Sequence, residues 1–457
     1  MANIANTYYP QQGRLVILGA GESGVGAAIL GKDKGFDVFV SDLGVIAESY
    51  QKQLQDEGIT FESGQHTEAA ILNADVIVKS PGIPEKAPLI KKLREAGIPL
   101  ISEIEFAAQY TDARLICITG SNGKSTTTML THYMLEKAGL NVGLAGNIGK
   151  SFALQVARAD FDVYVLEISS FMLDDMYHFR ADVAVLLNIT PDHLDRYDYK
   201  MENYVNSKFR VIQNQTANDF FIYCSDDEET VKALPRFDIK AMMLPMTQED
   251  VVSAGAYLNE KKDLIINIPN REIFAMNIEE LSLQGRHNVY NNMASGLVAK
   301  VQELRNQTMK ESMGSYVNIP HRLEHVAFIG GVNYINDSKA TNVNSVWYAL
   351  ESFSPDIVLL LGGVDKGNDY DMLRDLVKQK VKAIICIGKD TSRIHDAFED
   401  EVDVIVNSAS MDDAVQIASH LAKKGDTVLL SPACASFDWF KNYEERGDKF
   451  KDAVMAL

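Results

Sequence analysis

Cysteine is scarce in this 457-residue chain, and the four present (Cys117, Cys224, Cys386, Cys434) lie far apart and form no CxxC pair. That spacing argues against a disulfide scaffold or a zinc knuckle and suits a reducing compartment. Proline is sparse, at 12 residues, glycine is ordinary, at 30, and there is no short repeat, which excludes a collagenous or low-complexity chain. No apolar run approaches the roughly 18 uncharged residues of a spanning helix, and the first residues, MANIANTYYPQQGR, hold no apolar core of signal-peptide length. No membrane insertion and a cytoplasmic location are expected. Cations are in deficit: Lys plus Arg is 44 and Asp plus Glu is 63, so the net charge is 44 − 63 = −19. Such a surface repels polyanions, which disfavours nucleic acid and anionic membranes as partners. It leaves room for a local phosphate site built from backbone N–H groups and a few cations. What remains is globular, 46% hydrophobic and 23% charged, and long enough for two or three domains.

Three α/β segments follow one another. From Arg14 the chain reads strand, glycine turn, helix, strand (RLVILGAGESGVGAAILGKDKGFDVFVSD), then repeats through ADVIVKSPGIP and KKLREAGIPLIS. Short apolar runs alternating with amphipathic stretches mark βα units over a parallel sheet. A second start, ARLICITG, runs into SNGKSTTTMLTHYMLEKAG, with FDVYVLEISS and ADVAVLLNIT as further strands ending in polar residues. Ligands of open α/β sheets gather at that strand end. From about 217 to 285 the short runs between turns predict antiparallel hairpins on one edge. DIVLLLGGVDKG, VKAIICIG, VDVIVN and DTVLLSP then make a third α/β unit. The boundaries are set at 1–102, 103–320 and 321–457. The acidic run Asp226 to Glu229 reads as a solvated turn or a helix start.

The strongest local signal is Thr119-Gly120-Ser121-Asn122-Gly123-Lys124-Ser125-Thr126-Thr127 between a strand and a helix. Backbone N–H groups of such a loop cradle phosphates, a lysine meets the terminal phosphates, and a hydroxyl ligates Mg²⁺. The standard pattern has a glycine where Ile118 stands, so the loop is a shortened relative. Gly19-Ala20-Gly21-Glu22-Ser23-Gly24 is a GxGxxG at a first βα turn, with Asp42 ending the next strand. Close backbone approach serves any diphosphate, so this segment reads as a nucleotide-diphosphate binder of open identity. Glu167 ends one strand and His193 follows another; a carboxylate and an imidazole there can hold Mg²⁺, although Mg²⁺ prefers oxygen. Asp192 reads equally as a cap of the helix that includes His193 or as part of the same site. Arg322, the run Asn336–Asn342 and Lys366 bring cations and short polar groups to strand ends, fit for a triphosphate and an anionic second substrate. Ser431 and Ser436 lie beyond the last strand. Cys434 has no activating histidine nearby in sequence and reads as packing.

In order along the chain, TGSNGKSTTT, LEISSF, NITPDHLDRY, GRHN, HRLE, NDSKATN, LGGVDKG and LSPACASFD resemble the Mur ligases over about residues 14 to 450. GAGESG, SPGIP and above all SPACASFD point to the branch that adds D-glutamate. The resemblance implies a Rossmann-like N-terminal domain for a UDP moiety, a central P-loop ATPase-like domain with an antiparallel edge sheet, and a Rossmann-like C-terminal domain for the amino acid. It implies an ATP-dependent ligase acting through an acyl phosphate, with the third domain closing to exclude water. Lys124 resembles the P-loop lysine, within an ATP site of Gly120, Asn122, Gly123, Ser125 and Thr126. Ser125, Glu167 and His193 resemble magnesium ligands, and Lys208 the lysine that is carbamylated so that its carbamate oxygens help hold the metal. Asn288, Arg322 and Asp337 resemble further ATP contacts. Gly21, Glu22, Ser23, Asp42, Ser80, Asn147, Ser169 and Ser170 fall where the UDP-sugar substrate binds, and Lys339, Thr341, Lys366, Ser436, Phe437 and Tyr443 where D-glutamate binds. A monomer working on small molecules is expected.

Two departures stand out. Met172 occupies a position where the family often has glutamine, and Asp42-Leu43-Gly44 lacks an arginine that some members carry. Three other readings compete: a folylpolyglutamate synthase-like ligase, an NAD-linked oxidoreductase built on the GxGxxG, and a non-enzymatic ATP-binding module. Lys124, Glu167, His193 and Lys208 standing together argue against a dead site.

Overall fold

The computed structural model describes residues 9–10, 12–192, 194–317, 320–351, 353–365 and 367–457. His193 and Lys366 therefore lie outside the described residues.

Three sheets carry the fold. The first holds β1 (Arg14–Leu18), β2 (Asp37–Asp42), β3 (Thr60–Ser63), β4 (Val76–Lys79) and β5 (Leu100–Ile101), in the order β3-β2-β1-β4-β5. All its pairings are parallel, and the order reverses between β1 and β4, beside the glycine turn.

The second sheet has nine strands. They are β6 (Arg114–Thr119), β7 (Val142–Gly146), β8 (Val163–Glu167), β9 (Val183–Leu186), β10 (Phe220–Cys224), β11 (Met242–Thr247), β12 (Gly255–Leu258), β13 (Asp263–Asn267) and β14 (Phe274–Asn277), in the order β14-β13-β12-β11-β10-β9-β6-β8-β7. The hairpin expectation for 217–285 needs correction. β10 and β11 extend the parallel sheet, β12 joins β11 in parallel, and only β12-β13-β14 is antiparallel. The reason is visible in burial. FFIYC is nearly continuously apolar, as a strand covered on both faces must be, whereas DLIIN and FAMN alternate buried with partly buried or exposed positions.

The third sheet holds β15 (Glu324–Ile329), β16 (Val332–Asn336), β17 (Ile357–Leu361), β18 (Val381–Cys386), β19 (Val404–Asn407) and β20 (Thr427–Leu430), in the order β15-β16-β20-β17-β18-β19. β15 adds an antiparallel edge to an otherwise parallel sheet. Alternate residues feed two cores, Leu359 and Leu361 on one face, Val358 and Leu360 on the other.

The chain forms two compact units. One runs to Glu280 and takes in Tyr290–Gly314; the other is Leu281–Val289 with Ser315–Leu457. Within the first, a single hydrophobic cluster includes side chains of both sheets, from Leu15 and Val40 to Leu166 and Phe221. A buried ionic joint reinforces it. Lys79 reaches Asp175 at 2.9 Å, and Arg94 reaches the same carboxylate at 2.7 Å. Glu105 accepts the N–H groups of Tyr177, His178 and Phe179. All four cysteines are free and buried. Among the described residues no helix is long and apolar enough to cross a membrane.

Candidate active site

The phosphate-type loop joins β6, which lies between β9 and β8, to the helix Lys124–Lys137. Gly123 is left-handed (φ +84°), a conformation that favours glycine, and an added Cβ would stand 2.5 Å from Asn291 Oδ1. The loop is pinned to the segment after β9. Asn122 N–H donates to Asn188 Oδ1 at 2.9 Å, and Ser121 Oγ donates to the Thr190 carbonyl at 2.8 Å. Lys124 Nζ donates to the carbonyls of Gly120 and Ser121, both at 2.8 Å.

Lys208 comes from the helix Met201–Phe209 and is 1% exposed. Its Nζ donates to the Gly120 carbonyl at 2.7 Å and lies 4.6 Å from the centre of the Tyr204 ring. Burial, then the charge of Lys124, hold its pKa well below the usual lysine value, against the pull of Asp192 and Asp174. The structure thus brings Lys124 and Lys208 to one carbonyl. Sequence reasoning missed Tyr204, whose hydroxyl lies 3.1 Å from Ser121 Oγ. Its place one helical turn before Lys208 was the available signal.

Glu167 ends β8 opposite Ile118 of β6 and Gly146 of β7. Its Oε1 accepts from Asn147 Nδ2 at 2.8 Å. Its Oε2 is buried and has no partner among the described residues, as is true of Thr126 Oγ1. Ser125 is buried at the start of the helix. Carboxylate and hydroxyl oxygens are the donors Mg²⁺ favours, and a buried orphan oxygen fits such an ion. No group of three His, Cys, Asp or Glu among the described residues forms a metal site.

Ser169 caps the short helix Ser170–Asp174, and the Ser170 carbonyl accepts from Ser207 Oγ at 3.0 Å, tying it to the helix of Lys208. Met172 packs into the core. Gly21 is the N-cap of Glu22–Asp33, which begins with Glu22 and Ser23. Asp42 is occupied, accepting Ala20 N–H at 2.7 Å and Gly44 N–H at 2.8 Å, so it fixes the glycine turn. Ser80 follows β4 and packs against Gly19. The acidic run is a helix start, and its first two residues are partly buried. Asp227 caps Glu228–Ala233 and accepts Ile189 N–H, while Asp226 accepts from Thr247 Oγ1, Gln248 N–H and Tyr290 OH.

In the second unit, Asp337 is buried, accepting from Ser431 Oγ at 2.9 Å and Leu323 N–H at 3.2 Å. Burial pushes its pKa up to about 7, partly offset by Arg322. Burial, then Arg322, lower His287 to about 4, so it is neutral at physiological pH. Asn288 is buried and donates to the Gln284 carbonyl. Lys339 Nζ lies 5.3 Å from the Tyr443 ring centre, and Ser338 Oγ donates to the Tyr443 carbonyl. Arg446, fully buried and also missed from sequence, donates to Ser338 Oγ, the Ser338 carbonyl and the Cys434 carbonyl. It thereby joins the loop of Lys339 and Thr341 to the loop of Ser436 and Phe437. Ser436 is buried and Phe437 is 69% exposed. Cys434 Sγ lies 3.4 Å from Tyr370 OH, and burial pushes its thiol up to about 11, which fits packing.

Three family models match in order: Mur ligase MurD-like N-terminal domain (residues 13–102), Mur ligase middle domain (118–299) and Mur ligase glutamate ligase domain (321–434). A UDP-N-acetylmuramoylalanine–D-glutamate ligase of Bacteroides fragilis is 53% identical over 445 residues, 97% of this chain and 100% of that protein. The chain belongs to the Mur ligase family. A relative of the same name from Porphyromonas gingivalis is 51% identical over 97% of this chain and 98% of its own length. Among solved structures, this Mur ligase is similar to a pseudomurein peptide ligase type C from Methanothermus fervidus (TM-score 0.62, 20% identity, 97% of this chain and 99% of that one). It is also similar to the MurF ligase from Thermotoga maritima in complex with ADP (0.60, 16%, 92% and 95%) and to folylpolyglutamate synthase from Mycobacterium tuberculosis (0.57, 14%, 78% and 93%). At such identities the structural likeness establishes the shared fold.

Proposed function

We propose that the protein is an ATP-dependent amide ligase that adds D-glutamate to UDP-N-acetylmuramoyl-L-alanine in peptidoglycan synthesis, in the cytoplasm and as a monomer. The observation that carries this is the end-to-end match, at 53% identity, to a protein named for that reaction. The segments 1–102, 103–320 and 321–457 serve the UDP-sugar, ATP and the amino acid in turn.

In the first step the alanyl carboxylate attacks the γ-phosphorus of ATP, the bond to the ADP oxygen breaks, and an acyl phosphate forms. In the second, the amine nitrogen of D-glutamate attacks the carbonyl carbon, and phosphate leaves with the bridging oxygen. The amine proton must also leave; metal ligation by His193 competes with its taking that proton. N–H groups of Gly120, Gly123 and the helix start cradle the phosphates, with Asn122, Ser125 and Thr126 beside them. Lys124 exchanges its loop carbonyls for terminal phosphate oxygens and offsets their charge. Ser125, Glu167, His193 and carbamylated Lys208 would hold Mg²⁺, which when bound neutralises charge on the transferring phosphoryl group. The depressed pKa of Lys208 supports the modification: the neutral amine attacks CO₂, an N–C bond forms, and one N–H proton is released. Asn288, Arg322 and Asp337 are the further ATP contacts. Gly21, Glu22, Ser23, Asp42, Ser80, Asn147, Ser169 and Ser170 serve the UDP-sugar. Lys339, Thr341, Lys366, Ser436, Phe437 and Tyr443 serve D-glutamate.

The test is phosphate release with ATP, Mg²⁺ and UDP-N-acetylmuramoyl-L-alanine, comparing D-glutamate, L-glutamate and no amino acid. A ligated product with D-glutamate alone is expected. Equal use of L-glutamate, or turnover only with a folate substrate, would overturn the reading.

A further inference from the structure

The loop Gly146–Ser151 repeats the pattern of the phosphate loop. It reads Gly-Asn-Ile-Gly-Lys-Ser, against Gly-Ser-Asn-Gly-Lys-Ser at Gly120–Ser125, and likewise follows a strand and precedes a helix, here Phe152–Arg158. Its two glycines are also left-handed, at φ +99° and +78°. The anions at this turn are supplied by the chain itself. Glu103 Oε1 accepts from Ser151 Oγ at 2.5 Å and from Ala153 N–H at 2.8 Å. Glu22 Oε1 accepts Ser151 N–H at 3.2 Å. The helix Glu22–Asp33 lies so close that a Cβ added to Gly26 would stand 2.0 Å from Ser151 Oγ.

The other end of this loop touches the metal carboxylate. Asn147 donates through Nδ2 to Glu167 Oε1 at 2.8 Å and through its backbone N–H to the Glu167 carbonyl at 2.9 Å. We infer that Glu103 is a positioning residue: through Ser151 it fixes the loop that holds Asn147 against Glu167, and so holds the glycine turn of the N-terminal segment and the metal carboxylate in one geometry. The inference rests on the ligase reading for the roles of Asn147 and Glu167. The lock needs an acceptor oxygen at Glu103, not a charge. Glu103 is 4% exposed, only its Oε1 makes the hydrogen bonds to Ser151 and Ala153, and its Oε2 has no partner among the described residues. Glutamine retains that oxygen and alanine removes it.

The test uses the full-length protein with Glu103→Ala, Glu103→Gln and Ser151→Ala. Hydrogen exchange of the amides of residues 147–153 is followed without metal or substrate, alongside kcat, the three KM values and the Mg²⁺ concentration for half-maximal rate. The alanine variants should exchange at least about tenfold faster in this loop. They should raise the UDP-substrate KM and the Mg²⁺ requirement at least about fivefold, leave the D-glutamate KM within about twofold, and be matched to wild type by Glu103→Gln. Glutamine as damaging as alanine, or a fall in kcat that follows lost thermal stability with KM values unchanged, would overturn the inference. Should Glu103→Ala fail to fold, Glu103→Met, which fills the space without an acceptor, decides, because Ser151→Ala also removes the cap that Ser151 Oγ gives Leu154 N–H. A wild type without D-glutamate-dependent turnover would refute the ligase reading, while the exchange data would still decide whether Glu103 holds the loop.

Discussion

Lys208 and Lys124 donate to the same acceptor, the carbonyl oxygen of Gly120, at 2.7 and 2.8 Å. Two ammonium groups on one buried carbonyl repel each other, and the more buried one yields its proton more readily. A neutral amine at Lys208 is the form that captures CO₂. With carbon-13 bicarbonate, wild type should show a carbamate resonance that is absent in Lys208→Arg. An arginine stays protonated and forms no such carbamate, so turnover should fall about a hundredfold or more. A Lys208→Arg enzyme of wild-type activity would remove the carbamate from the account.

Lys124 is only partly buried, and its ammonium bonds to its own loop. Lys124→Ala should therefore cost about a hundredfold or more in kcat while thermal unfolding changes little. Calorimetry and steady-state rates on the same preparation check both. A large loss of stability would reassign the lysine to holding the loop.

Asp337 carries a pH signature. Its pKa rises from 3.8 in the unfolded chain to about 7 in the fold, so between these values the folded form keeps a proton that the unfolded form has released. This contribution to stability is largest at acid pH and is lost as pH rises through about 7. Wild type should lose stability relative to Asp337→Asn between about pH 4 and about pH 7 in denaturant titrations, and run parallel to it above. Parallel curves for the two proteins within that window would contradict the burial argument.

The joint between the first two sheets depends on Lys79 and Asp175, whose side chains are 3% and 2% exposed. Lys79→Ala leaves the Asp175 carboxylate with the half-exposed Arg94 and should destabilise the first unit by about 3–5 kcal/mol. Lys79→Met, which fills the space without the charge, should recover little of that loss, since Asp175 stays charged. Equilibrium unfolding of the three proteins measures this.

The phosphate loop and Glu167 were legible because each belongs to a local motif whose geometry is set within a few residues, whereas Lys208, in an ordinary amphipathic stretch, was named only through the family resemblance. Glu103 was not, since its partner Ser151 stands 48 positions later and only tertiary packing joins them. Asp226 and Asp227 read as solvent-facing because four acids in a row usually are. Their acceptors are taken by Ile189, Thr247 and Tyr290, which the run itself does not disclose. The β10–β12 region was misread because short strands between turns look alike whether the crossover returns in parallel or as a hairpin. Burial on both faces distinguishes them, and that is a property of the folded sheet.

The most direct measurement is the fate of oxygen from the substrate carboxylate. UDP-N-acetylmuramoyl-L-alanine labelled with oxygen-18 in its alanyl carboxylate is incubated with ATP, Mg²⁺ and D-glutamate, and phosphate and product are weighed by mass spectrometry. The account predicts one labelled oxygen in each phosphate released and a D-glutamyl product formed in equal amount. Unlabelled phosphate, or labelled phosphate without that product, would contradict it.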